Sequence, residues 1–309
     1  MSFTRPRALK AGDCLAVAAP SAAFDFERLK LGVLELESLG FRVRVPEGID
    51  ARSRFAAGTP ERRLAELQTL FQDDEVAGIV CARGGAGAGQ LLPLIDPGLL
   101  SSHPKVFVGC SDITFLHVLF NRLGLVSFHG PMAAGDLARG RYDRDSFWRA
   151  VTGEGGPYAS DPDDLLALRP GTGRGRLLGG CLSILASAAG TPWALSPDRE
   201  GTLLFLEDVN EAPYRIDRHL RQLRASGAFE AVRGVVFGDM QGCSPPAGAA
   251  FSLEDVILDA LAGLDVPMAL GLSSGHVVTG ALTLPLGVRA HLSCGPGGAR
   301  FEMLEAAVA

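Results

Sequence analysis

Several common features are absent or scarce in this chain of 309 residues, and each absence narrows what it does. No run of about 20 apolar residues is available to span a bilayer, so no membrane partner is expected. Basic blocks interleaved with aromatics are missing, and a formal net charge of -6 repels a polyphosphate backbone, so nucleic acid is not an expected partner. The six cysteines, Cys14, Cys81, Cys110, Cys181, Cys243 and Cys294, are dispersed, with no C-x-x-C spacing and no histidine near enough to complete a zinc set. They read as reduced, buried small hydrophobes, with neither a metal nor another cofactor implied. Two tryptophans and three tyrosines leave few platforms on which a nucleobase could stack.

What is present is a chain rich in apolar residues, 47% hydrophobic against 21% charged, which excludes a disordered polymer and fits a compact enzyme. Arg5, Arg7 and Lys10 precede the short apolar stretch 14–21 (CLAVAAPS), imitating a signal peptide. Asp13 interrupts the imitation, the stretch is short, and a helical pattern follows at once. A first core strand and a cytoplasmic location are therefore expected.

The front half alternates apolar runs with helical periodicity. Strands are predicted over 14–19, 41–45, 78–81 and 106–108, and helices over 26–39, 60–71, 90–95 and 112–123. Most of these strands are continuously apolar, which predicts a parallel sheet covered on both faces. Between about 140 and 174 the pattern gives way to Gly, Pro, Asp and Arg. The second half resumes with helices over 182–189, 216–226 and 253–261 and strands over 202–206 and 234–238, then glycine-punctuated strands. The expected fold class is α/β: an N-terminal parallel-sheet domain over 1–145, a linker over 146–173, and a second, smaller α/β domain over 174–309.

Four segments have the residues for chemistry. In 106–114 (VFVGCSDIT) a strand turns directly into a helix, with Ser111 at the corner. Such a turn lifts a hydroxyl above the sheet, and a helix start favours a developing oxyanion. A serine there is equally the commonest helix cap, and Cys110 is a rival nucleophile. The loop 81–90 (CARGGAGAGQ) exposes successive backbone N–H groups able to hold an anion, yet it matches neither the dinucleotide nor the phosphate-loop spacing. In 203–208 (LLFLED) an apolar strand ends in Glu207 and Asp208, where α/β proteins gather ligands; Glu207 is the better candidate to orient a histidine. His276, in the Gly/Ser turn 272–279 (LSSGHVVT), suits a general base, and His129, in 128–131 (FHGP), is a second contender.

Taken in order, KAGD at 10–13, APS at 19–21, RGG at 83–85, GCSDIT at 109–114, FHGP at 128–131, GG at 179–180, LEDV at 206–209, PYRIDR at 213–218, GH at 275–276 and LPLG at 284–287 resemble the LD-carboxypeptidase family of serine peptidases. That family also includes enzymes that destroy microcin C-type peptidyl-nucleotides. The resemblance implies a Ser–Glu–His triad falling on Ser111, Glu207 and His276. Oxyanion donors would be the backbone N–H groups of Gly85 and Asp112. It implies a murein tetrapeptide substrate cut before its terminal D-alanine, no cofactor, and a homodimer. Departures fall in the glycine loop, where Ala86 and Gln90 replace the usual Tyr and Arg, and at Cys181, where relatives often carry Asn. A silent small-ligand-binding protein, with Ser111 as a mere cap, is the alternative of a different class.

Overall fold

The computed structural model describes residues 3–160 and 165–309; residues 161–164, inside the expected linker, lie outside the described residues. The front half runs β1 (Cys14–Ala18), α1 (Phe26–Ser38), β2 (Arg42–Arg44), α2 (Pro60–Gln72), β3 (Val76–Cys81), α3 (Pro97–Ser102), β4 (Val106–Gly109), α4 (Thr114–Arg122) and β5 (Ser127–His129). The rear half runs α5 (Arg144–Thr152), β6 (Leu166–Arg169), β7 (Gly171–Cys181), α6 (Leu182–Ala188), β8 (Thr202–Glu207), α7 (Pro213–Ala225), β9 (Val232–Gly238), α8 (Leu253–Ala260), β10 (Met268–Leu272), β11 (Leu284–Leu286), β12 (Arg289–Gly295) and β13 (Gly298–Met303).

The described residues form two sheets. The first has the order β11-β5-β4-β3-β1-β2 and is parallel except for β11, a rear-half strand antiparallel to β5. The second has the order β13-β12-β7-β8-β9-β10-β6, with β7 to β10 parallel, β6 antiparallel to β10, β12 antiparallel to β7 and β13 antiparallel to β12. The central strands read as continuous apolar runs because both faces are covered: β1, β4 and β8 are buried at every residue. The α/β class read from the sequence is the class observed. One hydrophobic core runs through both sheets, joining Val80, Val108 and Phe128 of the first to Leu203, Phe205 and Val236 of the second. Among the described residues, no helix is long and apolar enough to cross a membrane.

Local chemistry explains the element boundaries. Helix α1 starts at Asp25, whose side chain accepts the Glu27 N–H, and α2 at Thr59, whose hydroxyl accepts from Arg62 N ahead of Pro60. The helix expected over 90–95 is absent: a 3₁₀ turn at Ala88–Gln90 leads into further turns, because Pro93 and Pro97 lack an N–H and disfavour helical backbone before them. Helix α3 begins only at Pro97, capped by Asp96.

The region read as loop holds α5, β6 and the start of β7. The apolar stripe of α5 is short, Phe147, Ala150 and Val151, within a polar sequence. The glycines of β7 serve close approach rather than a turn: a Cβ on Gly173 would stand 2.0 Å from Arg233 O, and one on Gly175 2.7 Å from Gly201 O.

All four candidate segments leave the carboxyl ends of parallel strands. The glycine loop follows β3, Ser111 follows β4, Glu207 ends β8 and His276 follows β10, which is where open α/β sheets place their ligands. The two sheets are tied together beside this edge. Cys181 N, at the end of β7, donates to Thr114 Oγ1 at the start of α4 over 3.0 Å, and a Cβ on Gly180 would come within 2.6 Å of the same oxygen.

Candidate active site

Ser111 takes a left-handed backbone, φ +62°. For a residue with a Cβ that conformation costs about 1–2 kcal/mol, so the surrounding structure must impose it. The 3₁₀ turn Ser111–Ile113 precedes α4, and neither start carries a side-chain cap from Ser111. The corner thus has the strained strand-to-helix geometry that presents a nucleophile, not the extended geometry of a cap.

The glycine loop packs directly on this corner. A Cβ at Gly84 would stand 2.7 Å from Ser111 Cβ and 3.0 Å from its Oγ, so only glycine permits the approach. Gly85 has φ +101°. Among the described residues, the N–H groups of Gly85 and Asp112 enter no backbone hydrogen bond outside regular helices and strands. Asp112 is buried, and its carboxylate accepts the Ala88 N–H at 2.8 Å together with the Ser21 hydroxyl, pinning the loop to the corner. Arg63, fully buried on α2, grips the same loop from behind, donating to Pro20 O at 2.7 Å, Gly87 O at 2.8 Å and Gln90 Oε1 at 2.5 Å. Sequence reading missed Arg63 because a second arginine in the polar helix start 60–63 (PERR) reads as solvent-facing. Its spacing from Leu67, Leu70 and Phe71 on the buried stripe was the available signal.

Glu207 is 1% exposed, held in a glycine cradle. A Cβ on Gly238 would lie 2.7 Å from Glu207 Cβ, and one on Gly275 2.5 Å from its carboxylate. Oε2 accepts the His276 Nδ1–H at 2.8 Å and the His276 backbone N–H at 3.2 Å. Since an ionised carboxylate only accepts, Nδ1 carries a proton, and in the neutral ring Nε2 offers its lone pair. The imidazole side chain is 26% exposed, open to a ligand where its partner is not. Burial alone would raise the Glu207 carboxyl; the His276 charge, with contacts from His129 and His276, outweighs it and holds the group well below the usual carboxylate range. Burial likewise opposes charge on His276, and the Glu207 carboxylate overcomes it, raising the imidazole above its ordinary value.

Three rivals are placed differently. Burial, reinforced by the charges of Asp136 and Glu207, pushes the Cys110 thiol well above its ordinary value, away from a nucleophilic thiolate. His117 bonds Gly109 O at 2.8 Å and Ser127 Oγ at 2.9 Å, and burial pushes it down to about 3, so it is a neutral core residue. His129 is wholly buried, with Nε2 3.6 Å from Glu207 Oε1, too long for a hydrogen bond. Asp136, which no sequence pattern singled out, accepts the Met132 N–H at 3.3 Å; burial raises its carboxyl while the charge of His276 opposes that rise. Among the described residues no cluster of His, Cys, Asp or Glu has the arrangement of a metal site, and no hydrogen bond joins Ser111 Oγ to His276.

A serine on a strained corner, a loop of free N–H groups against it, and a buried carboxylate orienting an open imidazole form the group set of a serine hydrolase. Residues 15–130 match the LD-carboxypeptidase N-terminal domain and residues 174–292 the LD-carboxypeptidase C-terminal domain. A Bacillus subtilis protein named "Probable murein peptide carboxypeptidase" is 36% identical over 294 residues, covering 94% of this chain and 91% of the relative. The murein tetrapeptide carboxypeptidase of Pseudomonas aeruginosa is 34% identical over 270 residues, covering 85% and 87%. Among solved structures, an MccF-like protein from Bacillus anthracis superposes with a TM-score of 0.85 at 26% identity, covering 97% of this chain and 99% of that one. The chain belongs to the LD-carboxypeptidase family and is a serine-type hydrolase of that family.

Proposed function

We propose that this protein is a cytoplasmic carboxypeptidase that hydrolyses the bond between an L-centre diamino acid and the terminal D-alanine of murein tetrapeptides, acting as a homodimer in cell-wall recycling. Ser111 Oγ attacks the scissile carbonyl while His276 Nε2 takes its proton, and Glu207 fixes the ring and stabilises its charged form. The N–H groups of Gly85 and Asp112 receive the oxyanion. Collapse of the tetrahedral adduct breaks the C–N bond, and His276 returns its proton to the departing amine of D-alanine. Water then releases the acyl group from Ser111 by the same steps.

The observation that carries this proposal is the 2.8 Å Glu207–His276 hydrogen bond, which commits Nδ1 and leaves Nε2 without a hydrogen-bond partner among the described residues. The Ser111–His276 hydrogen bond is to form with substrate, as catalytic contacts often tighten only in the complex. A peptidyl-nucleotide substrate has less support. Trp148 is engaged with Phe41 at 5.6 Å and with Glu154, and Trp193 packs against the apolar cluster of the first sheet. Both rings are half-buried against their own chain, which limits the face left for a base.

Incubation with the L,D-tetrapeptide and with its all-L counterpart provides the test. D-alanine should be released from the first only, unaffected by a chelator, and the Ser111→Ala variant should fold yet release none. Equal turnover by Ser111→Ala would remove the nucleophile.

A further inference from the structure

We propose that His129 is a positioning residue that holds the second oxygen of the Glu207 carboxylate, so that the acid of the triad is gripped by one imidazole from each half of the chain. The proposal rests on the triad assignment above. Glu207 Oε2 is fully engaged by His276, whereas Oε1 has no hydrogen-bond partner among the described residues. Both ring nitrogens of His129 are also without a partner, and its Nε2 faces Oε1 at 3.6 Å. Buried polar atoms are paired in the great majority of cases, so orphaned groups that face one another in a dry interior call for an explanation. Closing the gap to an ordinary N–H···O length of about 2.9 Å needs a shift of roughly 0.7 Å.

The surroundings leave Oε1 few other partners. Gly238 and Gly275 crowd Glu207 with backbone, His276 takes Oε2, and Phe205 sets its ring edge against the His129 imidazole with centroids 5.1 Å apart. His129 is fixed by strand pairing on both sides, opposite Gly109 of β4 and Leu284 of β11. Its 0% exposure removes it as a general base, since no substrate atom reaches it. What a ring so placed can do is stop rotation of the carboxylate. The terminal torsion of a glutamate is broad, and one bonded oxygen alone does not fix its plane. Anchoring Oε1 holds Oε2 on the Nδ1–H of His276. The titratable groups facing His129 are Glu207 and the neutral His117; those acting on His276 are Glu207, Asp136 and Asp208.

The test compares His129→Leu, His129→Asn and His129→Gln with the parent protein on the L,D-tetrapeptide, recording kcat, KM, the pH profile and a thermal melt. His129→Leu should lower kcat roughly ten- to hundredfold with KM nearly unchanged, the cost of a misplaced catalytic group. Its acid limb in kcat/KM should move down toward the ordinary imidazole value of about 6.5, because a loosened carboxylate supports the His276 charge less well. His129→Gln, long enough to offer an amide N–H to Oε1, should restore most of kcat and the limb; His129→Asn, too short to reach, should not. Should the leucine variant fail to fold, the Gln and Asn pair carries the same contrast. Unchanged kcat and limb in folded variants would overturn the proposal. So would an upward limb with kcat retained, which would make His129 only a competitor for the carboxylate's charge. Ser111→Ala and His276→Ala run alongside: turnover surviving in either would sink the triad assignment itself, whereas inactive controls with active His129 variants would sink only the positioning role.

Discussion

The Ser111 corner and the Glu207–His276 pair prepare their side chains by opposite means. At the corner the backbone is forced into a left-handed turn and the loop against it is tied down by Arg63 and Asp112. The pair has no comparable backbone strain at Glu207; a buried carboxylate is instead walled by glycines and fixes an imidazole by charge. One group is set by conformation and the other by electrostatics. They therefore ought to fail differently when disturbed.

Glu207→Gln should give the largest loss after removal of the nucleophile itself, on the order of 10³–10⁴ in kcat, because the amide neither stabilises the imidazolium nor enforces the tautomer. A loss below about tenfold would separate Glu207 from the mechanism. Gly84→Ala and Gly275→Ala sharpen the contrast, since their Cβ atoms would come within 2.7 Å of Ser111 Cβ and 2.5 Å of the Glu207 carboxylate. Each should cost roughly 10² in kcat/KM through displacement of a reacting group. Gly275→Ala should also lower the melting temperature, because its φ of +88° disfavours a side chain.

The pH profile reads the electrostatic half alone. With His276 raised above its ordinary 6.5, the acid limb of kcat/KM should have its midpoint above that value; a midpoint at or below it contradicts the Glu207 coupling. The same coupling stabilises the fold through His276 below the imidazole's unfolded pKa, and that contribution fades as pH rises through the folded one. Glu207, held low, contributes above the unfolded carboxyl pKa and loses its share as pH falls through the folded value. The smallest effect is expected from Cys110→Ala, about 1 kcal/mol in stability with turnover nearly intact. Abolished turnover in a folded Cys110→Ala protein would return the thiol to contention.

Elements with one strong local pattern were legible in the sequence. The apolar strands β1, β3 and β4 and the capped helices α1 and α2 fall where they were expected, and the strand-to-helix corner at Ser111 was visible from its glycine and polar neighbours. Helix α5 was hidden by a polar sequence with few apolar positions, and β7 by glycines whose purpose, close approach to Arg233 and Gly201, is a tertiary fact. The same limit applies inside the site. That Arg63 turns inward to the glycine loop, or that His129 lies against Glu207, depends on partners 24 and 78 positions away along the chain. No local period encodes such a choice. The residue pattern leaves His276 and His129 both open and only the family resemblance selects His276; burial supplies the physical distinction between them.

A double-mutant cycle between Ser111→Ala and His276→Ala, measured as D-alanine release from the L,D-tetrapeptide, addresses convergence of the two halves most directly. If the hydroxyl and the imidazole act as one unit, each single variant should lose at least about 10³ in kcat/KM and the double variant should lose no more than either. Losses that multiply would mean that the two side chains work independently, and the shared site would have to be abandoned.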